Sequence, residues 1–333
     1  LEERVASVVE FCATIGVATV QKIKRRKDKM ITLFSKVVAT LLLTFTAMGS
    51  STAIDNTLAL EDKNAQVAKS EIEVSYTNLA DNKTQALGKT ILQGAGISQA
   101  RQKVLFDHVN QFNQVVGDKA LAKDFEKGKA TETKYDPFAV GELWQKKQPN
   151  FMGYNCRITA YSLFADNLSL GTGKIPQKSE NGILDFDLIA LKQDKSAMVG
   201  KKDLEGFKAL YTDVPTSLTK DENIHLKNIQ KAWQQRGLSF KKNSKVSLIS
   251  FVIHDLAEAD KSYLFIGHVG LLFPKEDGGF YFLEKVAFQE PYRLNDFPSK
   301  KALWDYLMDK YDTDFNQETA RPFIMENDQL MVV

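Results

Sequence analysis

Apolar side chains recur at helical spacing through Val104, Leu105, Val109, Phe112 and Val116. Ser98 is placed to cap the start of this run and Gly117 to stop it. A second group, Trp144, Phe151, Met152 and Tyr154, leads into Ile158, Tyr161, Leu163 and Phe164. That spacing suits a buried helix opening at Asn155-Cys156, with Gly153 allowing a sharp turn just before it. Leu170-Gly171-Thr172-Gly173 breaks the pattern; it lacks the lysine and strand context of a phosphate loop and reads as a turn. Thr219-Lys220-Asp221-Glu222 has the spacing of a capping box for a helix running through Trp233 and ending at Gly237.

The last hundred residues change character. Residues 246–253, 263–273 and 280–288 read as strands, and 274–279 as the hairpin loop joining the latter two. Ser299 caps an amphipathic helix over 300–311, and Pro322-Phe323-Ile324-Met325 reads as a final strand. Helices first and an antiparallel sheet afterwards give an α+β class. The expected division is a helical segment over 73–136 and an α+β catalytic-like domain over 137–333, preceded by a polar, flexible linker over 54–72.

Charge adds a compartment to this picture. The 333 residues carry a net +2, yet residues 1–53 alone hold eight Lys/Arg and four Asp/Glu, so the remainder is slightly acidic, 36 against 38. Lys22, Lys24, Arg25, Arg26, Lys27 and Lys29 precede Met30; an apolar run over 37–48 and Ser51-Thr52-Ala53 follow. This is the order of a secretory signal peptide, with Met30 as the expected start. The apolar run is twelve residues, whereas a spanning helix needs about 20, so no membrane span is expected in the mature chain. A secreted or cell-surface location follows, with cleavage near Ala53. No clustered basic face suggests nucleic acid.

Removing the leader removes Cys12 and leaves one thiol, Cys156. A lone thiol in an exported chain is an inert buried group, an intermolecular bridge or a nucleophile. Cys156 stands where a helix starts, beside Arg157; both features favour the thiolate. Free N–H groups at the helix start could also hold an oxyanion. Of four histidines, His108 reads as a surface or satisfied residue, His225 lies in a charged helix and His254 ends a strand. His268 interrupts an apolar strand between Gly267 and Gly270 and is the favoured base. Pairing Leu272 with Phe280 would set Glu284 opposite His268 to orient it; a one-residue slip would present Lys285 instead. Gln289 is the alternative orienter, and Asn155 and Arg157 are possible supporting residues. No His-Glu-x-x-His or paired-Cys spacing calls for a metal, and no cofactor is expected.

The block Gly153-Tyr154-Asn155-Cys156-Arg157-Ile158-Thr159-Ala160, with His268-Val269-Gly270-Leu271-Leu272, 284–292 and 322–327, resembles a family of exported proteins and lipoproteins of Gram-positive bacteria. That family is known as a domain of unknown function, numbered forty-three hundred. The resemblance covers most of 73–333 and implies no assigned activity. No lipobox cysteine follows the apolar run here. At longer range, a Cys helix followed by a His strand is similar to papain-like peptidases and to bacterial cell-wall endopeptidases and amidases. By that analogy the fold would be a papain-like/NlpC-like cysteine-hydrolase arrangement, the Cys helix packed on an antiparallel sheet. The resulting expectation is a Cys156-His268-Glu284 thiol hydrolase acting on a peptide or cell-wall amide. The rival is a non-catalytic surface binding protein on the same scaffold.

Overall fold

A computed structural model describes residues 72–333, apart from 118–120, 131–134, 181, 259–260 and 313–315. The leader, Cys12 and the 54–72 linker therefore lie outside the described residues, apart from Ile72 at the linker's end. The first half runs β1 (Glu73–Thr77), α1 (Asn82–Gly94), α2 (Gln99–Val116), β2 (Glu126–Lys129), α3 (Pro137–Lys147), α4 (Cys156–Phe164), β3 (Leu168–Leu170), α5 (Asp185–Gln193) and α6 (Asp203–Tyr211). The second runs β4 (Val214–Thr216), α7 (Glu222–Gln235), β5 (Leu238–Phe240), β6 (Ser247–Glu258), β7 (Lys261–Pro274), β8 (Phe280–Lys285), β9 (Tyr292–Phe297), α8 (Lys300–Tyr311), β10 (Phe323–Glu326) and β11 (Gln329–Leu330). The fold is mixed α+β with an antiparallel sheet, and eight α-helices stand among the described residues.

Helix starts follow local chemistry. Asp81, Asp136, Asn155, Asp221 and Ser299 each accept a first-turn N–H, satisfying donors that have no partner within the helix. The α7 start differs from the capping-box expectation: Asp221 is the cap, and Thr219 Oγ1 accepts from the Asp221 N–H instead. The short aspartate side chain reaches the Asn223 N–H directly, so the helix opens two residues later.

The main sheet has the order β11-β10-β6-β7-β8-β9-β1-β2, with β4 also paired to β7. Leu248, Val252, Val269, Leu271 and Leu283 belong to the core on the α4 side; Ile249, Phe251, Leu272 and Phe282 belong to the core containing Leu303, Tyr306 and Leu307 of α8. Alternation along each strand produces this division. Two irregularities of β7 matter. Phe251 pairs with His268 and Val252 with Ile266, so Gly267 is an extra residue, a bulge. Leu264 and Ile266 face the α4 side before it, and Val269 and Leu271 face that side after it, so the bulge turns His268 toward α8. Second, β4 covers Ser262 to Leu264 and β8 covers Gly270 to Pro274; residues 265–269 are paired with β6 alone, leaving an opening in the sheet.

Several expectations need correcting. The segment 73–136 contributes two strands besides its helices, and β1 pairs with β9 in the main sheet. The strand expected over 280–288 stops at Lys285 and is followed by a turn. Pro274, not Leu272, pairs with Phe280, because the loop closes tightly through Lys275 N–H to Gly279 O (2.9 Å) and Gly278 N–H to Lys275 O (3.2 Å). Glu284 consequently stands opposite Gly270. The shift is two residues, so the face of Glu284 is unchanged.

Candidate active site

Asn155, Cys156 and Arg157 form the entry to α4, and each side chain has a separate task. Asn155 Oδ1 accepts the Ile158 N–H at 3.0 Å, and its Nδ2 donates to Asp187 Oδ1 at 2.8 Å. Arg157 is buried; its Nε and Nη2 grip Asp187 at 3.0 and 2.6 Å. Arg157 Nη1 donates to Ile266 O (3.1 Å), inside the stretch of β7 that lacks a neighbour on that edge. This bond pins the first turn of α4 at the sheet opening, and Cys156 is thereby presented to His268. The N–H groups of Cys156 and Arg157 lie in the first turn, where no carbonyl four residues back can take them.

The thiol lies beside the His268 ring, close enough for each group to shift the other's proton affinity. His268 Nε2 is engaged by Glu284 Oε2 at 2.6 Å, so Nδ1 is the nitrogen left for sulfur. All three residues are buried: Cys156 is 6% exposed, His268 2% and Glu284 1%. The ring of Tyr311 stacks on His268 with centroids 4.4 Å apart and planes 22° apart. Glu284 Oε1 accepts from Tyr306 Oη (2.5 Å) and Asn295 Nδ2 (3.0 Å), and Lys310 Nζ donates to Tyr306 Oη (2.9 Å). A continuous row of hydrogen bonds thus runs Lys310, Tyr306, Glu284, His268, with Cys156 beside the ring at its end.

Burial alone would raise the Cys156 pKa; the His268 hydrogen bond and charge, with Arg157, outweigh it and bring the thiol below its ordinary value. Burial works against a charged His268, yet its bonds to Cys156 and Glu284 raise it to about 9. Burial opposes ionisation of Glu284 too, but Lys310, His268 and Arg293 hold it well below the usual carboxylate range. The three directions favour the same set of forms: thiolate, imidazolium, carboxylate. Such a thiolate is a nucleophile with a proton donor in contact.

The remaining candidates lie elsewhere or do other work. Gln289 is exposed on the turn after β8, packed against Gly141, and does not reach His268. Lys285 points to the α4 side, with Nζ 4.0 Å from the Phe112 ring centroid, and donates to the carbonyls of Phe288 and Glu290; it thereby ties that turn down. Burial pulls Lys285 down to about 7. His254 lies within β6 rather than at a strand end and is buried: its Nδ1 accepts the Ala320 N–H at 3.0 Å, and burial lowers it to about 4. His225 is buried beside it, bonded to Thr216 Oγ1 and Thr219 O at 2.9 Å each. His108 is bonded to Ser196 Oγ at 2.9 Å. Among the described residues no group of three His, Cys, Asp or Glu side chains could hold a metal ion, and no helix is long and apolar enough to cross a membrane.

Asp187, Asn295, Tyr306, Lys310 and Tyr311 were absent from the sequence reading. One signal was available: Asp187 interrupts the apolar run Phe186, Leu188, Ile189, a place where a carboxylate needs a buried partner. No curated protein and no solved structure matches the chain. Residues 75–331 match the family described as Domain of unknown function (DUF4300), and the chain belongs to that family.

Proposed function

We propose that the chain is a thiol hydrolase that cleaves an amide or peptide bond. The observation that carries the reading is Cys156, at the start of a helix, beside a His268 that is hydrogen-bonded to Glu284. In the first step the Cys156 thiolate adds to the carbonyl carbon, and the π electrons move to oxygen. The oxyanion meets the free N–H groups of the first turn of α4. It then collapses, the C–N bond breaks, and His268 gives its proton to the departing amine. A thioester remains. Water adds to it as His268 takes the water's proton, the C–S bond breaks, and acid, thiolate and imidazolium are recovered. Glu284 keeps its charge throughout and fixes the ring orientation. The papain-like character of this arrangement, export by the leader and a cell-wall peptide as substrate belong to the same proposal.

Reactivity toward iodoacetamide tests it. Cys156 should be alkylated in the native protein at about pH 6, where an ordinary thiol is almost wholly protonated. His268→Ala should slow that labelling, and Cys156→Ser should abolish it. A rate that climbs only near pH 8–9, or labelling only after unfolding, would count against the reading. One observation favours a non-catalytic scaffold as the second reading: the burial of all three side chains. Labelling of the folded protein separates the two.

A further inference from the structure

The oxyanion needs donors placed around it, and the Asn155 side chain is already held by its neighbours. Asn155 has its carbonyl oxygen on Ile158 and its amide on Asp187. Helix α6 supplies another group. Arg101 Nη1 donates both to Ser162 O near the end of α4 and to Asp203 at the start of α6, so these two ends lie together. Farther along, a Cβ on Gly206 would stand 2.0 Å from Tyr161 Oη, so the two helices touch there. Both helices have nine residues, about 13 Å of rise. The far end of α6 is placed by the strand that follows it: Val214, three residues after Tyr211, pairs with Leu264, two residues from the Ile266 whose carbonyl holds Arg157, so Tyr211 comes to the first turn of α4.

Tyr211 packs against Phe207 (ring centroids 5.0 Å) and Tyr161 (6.4 Å) and is 1% exposed. Its hydroxyl is buried and has no hydrogen-bond partner, a state that native interiors rarely leave unexplained. Burial first, and the Cys156 thiolate second, keep this phenol protonated well above its ordinary range. The group is a neutral donor, near enough to feel the Cys156 charge and without a hydrogen-bond partner in the resting protein.

We propose that the Tyr211 hydroxyl is a catalytic residue, the side-chain donor to the oxyanion that forms when Cys156 attacks a carbonyl. The assignment rests on the thiol-hydrolase reading above. Tyr211 keeps its proton throughout; it donates a hydrogen bond that exists only once the carbonyl oxygen has become anionic, so it lowers the barrier without strengthening ground-state binding.

Two reagents separate this role from a merely structural one. Iodoacetamide alkylates the thiolate by displacement and forms no oxyanion, whereas p-nitrophenyl acetate acylates it through one. On the full chain, with Cys156→Ser as the background, Tyr211→Phe should slow acylation of Cys156 by about 100-fold. Alkylation should continue at the wild-type rate. Removing an unpartnered buried hydroxyl should leave the melting temperature unchanged or raise it. Equal slowing of both reactions, slowing of neither, or a marked drop in melting temperature would overturn the role of Tyr211 while leaving the nucleophile in place. A wild-type Cys156 that takes neither reagent would overturn the hydrolase reading itself, and Tyr211's role with it.

Discussion

His268 is held between a thiol and a carboxylate, and the two partners set how stability responds to pH. Its pKa is raised to about 9 from an ordinary value of about 6.5. The stability that its proton contributes is therefore whole below about pH 6.5 and is lost as pH rises through about 9. Glu284 is depressed, so its contribution is whole above the ordinary carboxylate value of about 4.3 and is lost as pH falls below it. Glu284→Gln removes the charge that His268 and Lys310 share. It should cost roughly 1–3 kcal/mol and move the alkaline fall in stability to lower pH. Urea melts between pH 6 and 10 check both; an unmoved alkaline limb would show that Cys156 alone sets the imidazole's affinity for protons. Tyr306 and Asn295, which hold the other carboxylate oxygen, should keep the substituted amide side chain in place.

The first turn of α4 is fixed by a carboxylate thirty residues away, on α5. Removing Asp187 leaves the Arg157 guanidinium buried with carbonyl partners only. Asp187→Ala should cost about 3–5 kcal/mol, and adding Arg157→Met should recover much of that loss. Denaturant midpoints of the single and double variants decide it. How much of these elements was legible differs for physical reasons. The start of α4 was readable because Gly153, the Asn155 cap and the apolar run after it are all local signals. The face of Glu284 was readable from strand parity. Its register was not, because the loop through Gly278 and Gly279 could close in more than one way. β9 escaped notice because it is buried on both faces yet lacks the apolar run of such a strand: Arg293 and Asn295 take the positions on the Glu284 face. Asp187 carries no local pattern linking it to Arg157. The bulge at Gly267 was equally hidden, although it decides which face His268 takes.

Across the whole molecule the early helices and the late sheet share one core. Leu79, Leu92, Leu105 and Phe112 belong to the same buried cluster as Leu283 and Leu294, and β1 borders β9. Helix loss by circular dichroism and exposure of Trp144, Trp233 and Trp304 by fluorescence should therefore fall on one denaturation curve. Separate midpoints would mean that residues 73–136 melt as a unit of their own. The opening in β7 also bears on how the chain reaches this state. Arg157 meets Ile266 across 109 residues of sequence, and that bond docks α4 at the opening. Contacts of that separation form late, because the intervening chain must first be closed into a loop. The thiol should therefore behave as an ordinary one through the early milliseconds of refolding and change its chemistry when the opening is filled. A pulse of alkylating reagent at successive delays would then time the closing event from inside the protein, with no added label.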